Sequence, residues 1–252
     1  MVLKRLFSGR GAAPATPARC VPDGVRVYAV GDIHGRLDLL DALLAMIDAD
    51  AAGSGARIEL VFLGDLVDRG PDSAGVVERL RLLAAERPIR VLTGNHEEIF
   101  LKALGGDREA LRFFTRIGGR ETILSYGVSK QQYDSTGYDE LFELMSTSVP
   151  VAHVDFMRGF EDQVQVGDYL FVHAGIRPGV PLEDQTLADL RWIRRTFLDD
   201  ATDHGPLVIH GHSITDEVDE RPNRIGIDTG AFASGRLTAI ALEGTDRWYL
   251  NT

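Results

Sequence analysis

Thiol chemistry is nearly absent from this sequence. One cysteine, Cys20, in 252 residues excludes an intramolecular disulfide and a cysteine-built zinc cage, and it points to a reducing, cytoplasmic compartment. Basic charge is also scarce: 27 Lys and Arg against 38 Asp and Glu leave a formal charge of -11. Such a field repels polyanions, so nucleic acid is not expected as a partner. No apolar run reaches the length of a membrane-spanning helix, so a membrane is not expected either. What the chain does have is 44% hydrophobic residues, over a length that suits one large α/β domain or two small ones.

The first twenty residues carry Lys4, Arg5, Arg10 and Arg19 with no acid and no apolar segment behind them. Residues 1–24 therefore read as a disordered basic tail, and 25–252 as the folded domain. Val25 to Val30, Ile58 to Leu63 and Ile89 to Leu92 read as buried strands. The helices between them carry apolar stripes, Leu40, Leu43, Leu44 and Ile47 in the first and Val76, Leu80 and Leu83 in the second. This alternation predicts βαβ units and a largely parallel sheet covered on both faces. From about 97 to 157 the pattern turns helical and reads as an inserted cap. The closing third is a series of short apolar runs from Tyr169 to Leu250, which predict a second sheet packed on the first.

Chemistry-bearing residues fall just beyond the strand ends. Asp32 and His34 follow the first strand, Asp65 the second, Asn95 and His96 the third; His173 follows Val172, and His210 and His212 lie at the end of the run to Ile209. Ligands of open α/β sheets bind beyond the carboxyl ends of the strands, so these side chains should converge at one edge. Taken singly, Asp-x-His between glycines is a solvated turn, Asn-His a helix cap, and a lone His a satisfied core residue. Repetition after successive strands argues against coincidence. Two aspartates, an asparagine and several imidazoles suit manganese, iron or zinc better than calcium. A shared carboxylate, for which Asp65 is the candidate, can hold two such ions about 3.5 to 4 Å apart. His153, in an apolar stretch, and His204, in an acidic loop, lack this context and read as structural.

The blocks Gly31-Asp32-Ile33-His34-Gly35, Gly64-Asp65-Leu66-Val67-Asp68-Arg69-Gly70 and Gly94-Asn95-His96-Glu97 closely resemble the signatures of the calcineurin-like metallophosphoesterases. With Phe171 to Gly175, Gly211-His212-Ser213 and Ile227 to Ala231, the chain is similar to the bacterial and phage-type serine/threonine phosphoprotein phosphatases within that superfamily. The resemblance implies a four-layer α/β/β/α fold of two mixed sheets flanked by helices. It also implies two divalent metals, manganese foremost: Asp32, His34 and Asp65 for the first, and Asp65, Asn95, His173 and His212 for the second. A hydroxide shared by the ions would attack phosphorus in line. His96 would protonate the leaving oxygen with Asp68 orienting its ring, and Arg69, Arg194 and Asn95 would hold the phosphate.

Thr93 stands where many such phosphatases have Arg, and Arg116 or Arg120 of the cap could substitute, although both read first as solvated helix charges. His210 matches no family ligand position and reads as a hydrogen-bonding or packing residue around the metals. The leading expectation is hydrolysis of phosphoserine or phosphothreonine in proteins, or of small phosphate monoesters. The alternative is symmetrical cleavage of diadenosine tetraphosphate by enzymes that share these blocks. In those enzymes the residue matching Asp68 is often not acidic and that matching Glu97 is often Asp. A phosphopeptide-binding scaffold without turnover would predict lost ligands, and none is lost here.

Overall fold

The computed structural model describes residues 19–252. Strand β1 (Val25–Val30), helix α1 (Leu37–Ala51), β2 (Arg57–Phe62), α2 (Ser73–Glu86) and β3 (Ile89–Val91) alternate as the periodicity predicts, and the three strands run parallel. The predicted stripe Leu40, Leu43, Leu44 and Ile47 is the buried face of α1. Asp72 starts α2 by accepting the Gly75 N–H on its carboxylate at 2.8 Å.

Helices fill the stretch read as a cap: α3 (Asn95–Leu104), α4 (Arg108–Ile117), α5 (Gly119–Ser125), α6 (Lys130–Ser135), α7 (Tyr138–Ser148) and α8 (Val151–Arg158). They share one apolar core with α1, α2 and the outer face of the first sheet, through residues such as Phe100, Phe114 and Met145. Beyond them come β4 (Gln163–Val166), β5 (Tyr169–Val172), α9 (Leu187–Trp192), α10 (Arg195–Leu198), β6 (Leu207–His210), β7 (Asp219–Glu220), β8 (Arg224–Gly226), α11 (Ala231–Ser234), β9 (Thr238–Glu243) and β10 (Asp246–Asn251).

Two five-stranded sheets result, ordered β10-β9-β1-β2-β3 and β4-β5-β6-β8-β7. Both are mixed, and the first is less parallel than expected because β9 and β10 leave the second-sheet region and pair antiparallel beside β1. Their side chains explain the return. In β9, Ala239 and Ala241 pack toward α1, while Ile240 and Leu242 enter the layer between the sheets. That inter-sheet layer also takes Val27, Ala29, Val61 and Leu63 from one side and Phe171, Ile209 and Ile225 from the other. Helices α9 and α10 cover the far face of the second sheet through Leu190 and Phe197. The layers run helix, sheet, sheet, helix.

Of the segment read as a basic tail, residues 1–18 lie outside the described residues. Residues 19–24 are docked: Val21 is buried against the inter-sheet core, and the Cys20 N–H donates to Asp168 at 2.9 Å. The folded body thus begins before Val25. No helix among the described residues is long and apolar enough to cross a membrane.

Candidate metal centre

The loops that leave β1 and β2 are bonded to each other. Ile33 and His34 donate their N–H groups to the Asp65 carbonyl at 3.1 and 2.8 Å, and Gly35 to that of Leu66 at 2.8 Å. The buried carboxylate of Glu97, in the first turn of α3, joins the third loop to them. It accepts N–H groups from Asp65 (2.8 Å), Leu66 (2.8 Å), Val67 (3.2 Å) and Gly94 (2.9 Å). Burial pushes its pKa up to about 7, with the nearby Asp65 charge adding to the rise. Among the described residues, the non-glycine positions with positive φ are His34, Asp65, Asp68, Arg69 and His212. The first four belong to the loops after β1 and β2 and His212 to the loop after β6, and such strain persists only where surrounding bonds over-determine the backbone. Space is equally constrained. A Cβ on Gly94 would land on the Asp65 carboxylate, and one on Gly211 on that of Asp32.

Two groups of donor atoms form, each with all its atoms within 4.8 Å of one another: His34, Asp65 and His96, and Asp65, His173 and His212. Asp65 belongs to both. His34 and His173 each donate Nδ1–H to a backbone carbonyl, Val67 and Leu63 respectively, at 2.8 Å. Those bonds turn their Nε2 lone pairs toward the Asp65 oxygens, 3.5 and 3.4 Å away. The Asn95 side-chain oxygen lies 3.0 Å from Nε2 of His173 and 2.8 Å from Nδ1 of His212. Nε2 of His212 is buried without a hydrogen-bond partner.

Asp32 is buried beside these groups but belongs to neither, because its two oxygens face the His212 N–H at 3.2 and 3.0 Å. Burial and the charges of Asp228 and Asp65 hold its pKa well above the ordinary carboxylate range. Burial likewise raises Asp228 to about 6, with the Asp65 charge adding to it. Three buried carboxylates held against one another, with imidazoles aimed at the central one, are the chemistry of a site for divalent cations.

The imidazoles divide by protonation. Burial lowers His34 to about 3 and His212 to about 2, and it lowers His173 as well, so all three keep a free lone pair near neutral pH. His96 moves the other way: burial lowers it, but the Asp65 and Asp68 charges outweigh burial and raise it. Its Nδ1 is fixed on Asp68 Oδ2 at 2.6 Å, and Thr122 Oγ1 donates to the other Asp68 oxygen at 2.6 Å. Burial holds Asp65 upward, but His173, His96, His34 and His212 together bring it below the ordinary carboxylate range.

Arg69 bridges the two sides of the centre, its Nη1 3.0 Å from Nε2 of His34 and its Nη2 2.9 Å from Nε2 of His96. Arg194 is exposed at the end of α9, close enough for its charge to lower His173 and His212. Arg120 turns to Glu121 and stacks over Tyr133, with its Cζ 5.4 Å from the ring. Thr93 is buried, its N–H donating to the Glu161 carbonyl at 2.8 Å. His210 faces Arg224 and the ring of Phe197 rather than the donor groups. His153 lies between Tyr126 and Glu78, and His204 against Asn223.

Asp228, Thr122 and Phe232 were not singled out from the sequence. Asp228 follows β8 as the other acids follow their strands, so the same positional rule reaches it. Nothing local marks Thr122, which arrives from α5, or Phe232, whose ring meets His34 edge to face at 5.4 Å.

A family model described as calcineurin-like phosphoesterase matches residues 25–229. A symmetrical bis(5'-nucleosyl)-tetraphosphatase of Acidovorax sp. (strain JS42) is 36% identical over 162 residues, 64% of this chain and 48% of that protein. The chain thus spans about half the length of the curated relatives it matches. The fold recurs in a crystal structure provisionally named a diadenosine tetraphosphatase, at 23% identity and TM-score 0.61, covering 93% of this chain and 98% of that one. It recurs also in a protein serine/threonine phosphatase from Saccharomyces cerevisiae, at 14% identity and TM-score 0.53, covering 90% of this chain and 79% of that one.

The support under Asp68 is testable. Thr122→Val removes the donor to Oδ1 and one of the two acceptors of the Asp68 N–H, at 2.8 Å, the other being Ser73 Oγ at 3.0 Å. It should destabilise the protein by about 1–3 kcal/mol, the cost of leaving buried polar groups unpaired. Urea unfolding monitored by circular dichroism measures it, and an unchanged midpoint would contradict the assigned network.

Proposed function

The chain belongs to the calcineurin-like phosphoesterase family, and from that premise we propose that its substrate is a dinucleoside polyphosphate of the diadenosine tetraphosphate type, cut symmetrically. Metal-dependent hydrolysis of phosphoester bonds is the activity of the family. The motifs point first to a phosphoprotein, but the curated relatives favour the alternative substrate, since they are symmetrical bis(5'-nucleosyl)-tetraphosphatases. The observation that carries the chemistry is the sharing of Asp65 between two donor groups that enclose one reaction space.

In this reading His34 and Asp65 of the first donor group, joined by the neighbouring Asp32, would hold one divalent ion and leave His96 of that group to act on the substrate, while Asp65, Asn95, His173 and His212 would hold the other, with manganese, iron and zinc all matching the donor types. When bound, the two ions supply Lewis acidity at the phosphoryl oxygens and lower the pKa of an attacking water. The chain's own residues do the rest. The neutral imidazoles of His34 and His173 keep their lone pairs oriented because Nδ1 is spent on a carbonyl. His96, its ring fixed through Nδ1 by Asp68 and its pKa raised by the Asp65 and Asp68 charges, is placed to carry a proton on Nε2 to the departing oxygen once a phosphoryl group draws Arg69 from that nitrogen. Arg69 and Arg194, joined by the Asn95 amide, orient the phosphoryl group, Arg69 from a position that touches both sides of the centre. The lone Cys20 supports a cytoplasmic setting.

One observation favours a phosphoprotein instead: the Asp68 to His96 pair, which the resemblance links to protein phosphatases. A side-by-side assay separates the two. With manganese supplied, diadenosine tetraphosphate should yield ADP alone with a higher kcat/KM than a phosphoserine peptide; the reverse order would restore the phosphoprotein reading.

Asp65→Asn should remove both ions, read by elemental analysis of the purified protein, and an unchanged metal count would refute the shared role. His96→Asn should slow substrates with poor leaving groups by about 10²–10⁴-fold, the usual worth of general acid catalysis, while sparing activated aryl phosphates. Equal losses on both would argue against it.

A further inference from the structure

A groove of about 650 Å³ opens beside the centre, lined by Gly35, Arg36, Leu37, Asp38, Arg69 and Phe232 among others. It is continuous with the reaction space, because Gly35 adjoins His34 and Arg69 touches both His34 and His96. Phe232 forms its wall. The ring is half-buried, its edge-to-face contact with His34 spans 5.4 Å, and the Arg69 guanidinium carbon lies 4.9 Å from its centre. The backbone beneath it is tied down: Arg36 Nη1 donates to the Ala231 carbonyl at 2.9 Å while its Nε and Nη2 clamp the Asp38 carboxylate at 2.8 and 2.7 Å. Because Arg69 borders both the donor groups and the groove, a phosphoryl group it held would have the groove beside it for whatever it carries. There the attached group finds a fixed aromatic ring, the aliphatic side chain of Leu37, and the carboxylates of Asp38 and Asp41. Aromatic surface with acceptors at its border suits a planar group that carries N–H donors.

We propose that this groove is the subsite for the organic end of the substrate, and that Phe232 sets its specificity by stacking against a planar aromatic group, a nucleobase in the natural substrate. The inference rests on the phosphoesterase reading of the centre and deepens it.

The experiment uses the full chain with manganese and three substrates: diadenosine tetraphosphate, phenyl phosphate, and a small alkyl phosphate with no ring. The quantity read is the ratio of kcat/KM for each aromatic substrate to that for the alkyl one. Phe232→Ala should lower the phenyl-to-alkyl ratio about tenfold, the scale of one lost stacking contact, and Phe232→Tyr should restore it. If Phe232 serves only to brace Arg69, the variant slows all substrates alike and the ratio stays fixed, which overturns the proposal. Should Phe232→Ala not fold, by thermal melting, Phe232→Leu keeps the apolar volume without the ring and must show the same loss. Wild-type protein that ignores diadenosine tetraphosphate would defeat the dinucleotide reading alone, since the phenyl-to-alkyl ratio still tests the wall.

Discussion

Four backbone N–H groups from two loops end on one buried carboxylate, that of Glu97, and the centre depends on that convergence. Taking a carboxylate out of water is costly unless its lone pairs are filled. Here they are filled by the very residues that must be held, Asp65 and its two successors, together with Gly94 ahead of Asn95. The bonds help keep Asp65 in a left-handed conformation that its side chain disfavours. The shared donor of both groups is therefore supported from behind by a residue that belongs to neither.

The distribution of charge follows from this arrangement. A carboxylate at the focus of four imidazoles would leave each with an ambiguous proton were their outer nitrogens free. Backbone carbonyls settle the matter for His34 and His173, and a carboxylate settles it oppositely for His96. Side chains of one type thus serve two purposes, and partners at the distal ring nitrogen make the difference. The overall charge of -11 works against an anionic substrate, so in the proposed reading attraction would be local, at Arg69 and Arg194 and at the cations the donor groups suit.

Much of the fold was legible in the sequence because the alternating strands and helices carry strong periods: the stripe of α1 and the near-continuous apolar runs of β1 and β2 are where the pattern puts them. The positions of Asp32, Asp65, Asn95, His173 and His212 were legible for the same reason, since each lies beyond a strand that had been recognised. What stayed hidden is non-local. The return of β9 to β1 puts Ala239 and Ala241 in the helix-covered core and Ile240 and Leu242 between the sheets, which depends on the partner surfaces. Thr122 reaches Asp68 across 54 residues, and Phe232 reaches His34 from the other end of the chain. The orientation of Asp32 toward the His212 backbone is likewise a property of two loops meeting and of neither alone.

The return of β9 also governs when the centre can form. Strand β1 delivers Asp32 and His34, yet it is flanked on one side by a strand that follows it by some 217 residues, as the Arg26 to Glu243 pair records. A ribosome releases the first donor loop long before the strand that encloses it exists. High contact order of this kind slows folding, because loop-closure entropy is lost before contacts compensate it. For most of its synthesis the nascent chain carries metal-seeking side chains on an uncovered strand edge, which makes the interval before closure the period when a wrong ion or a neighbouring chain can engage them.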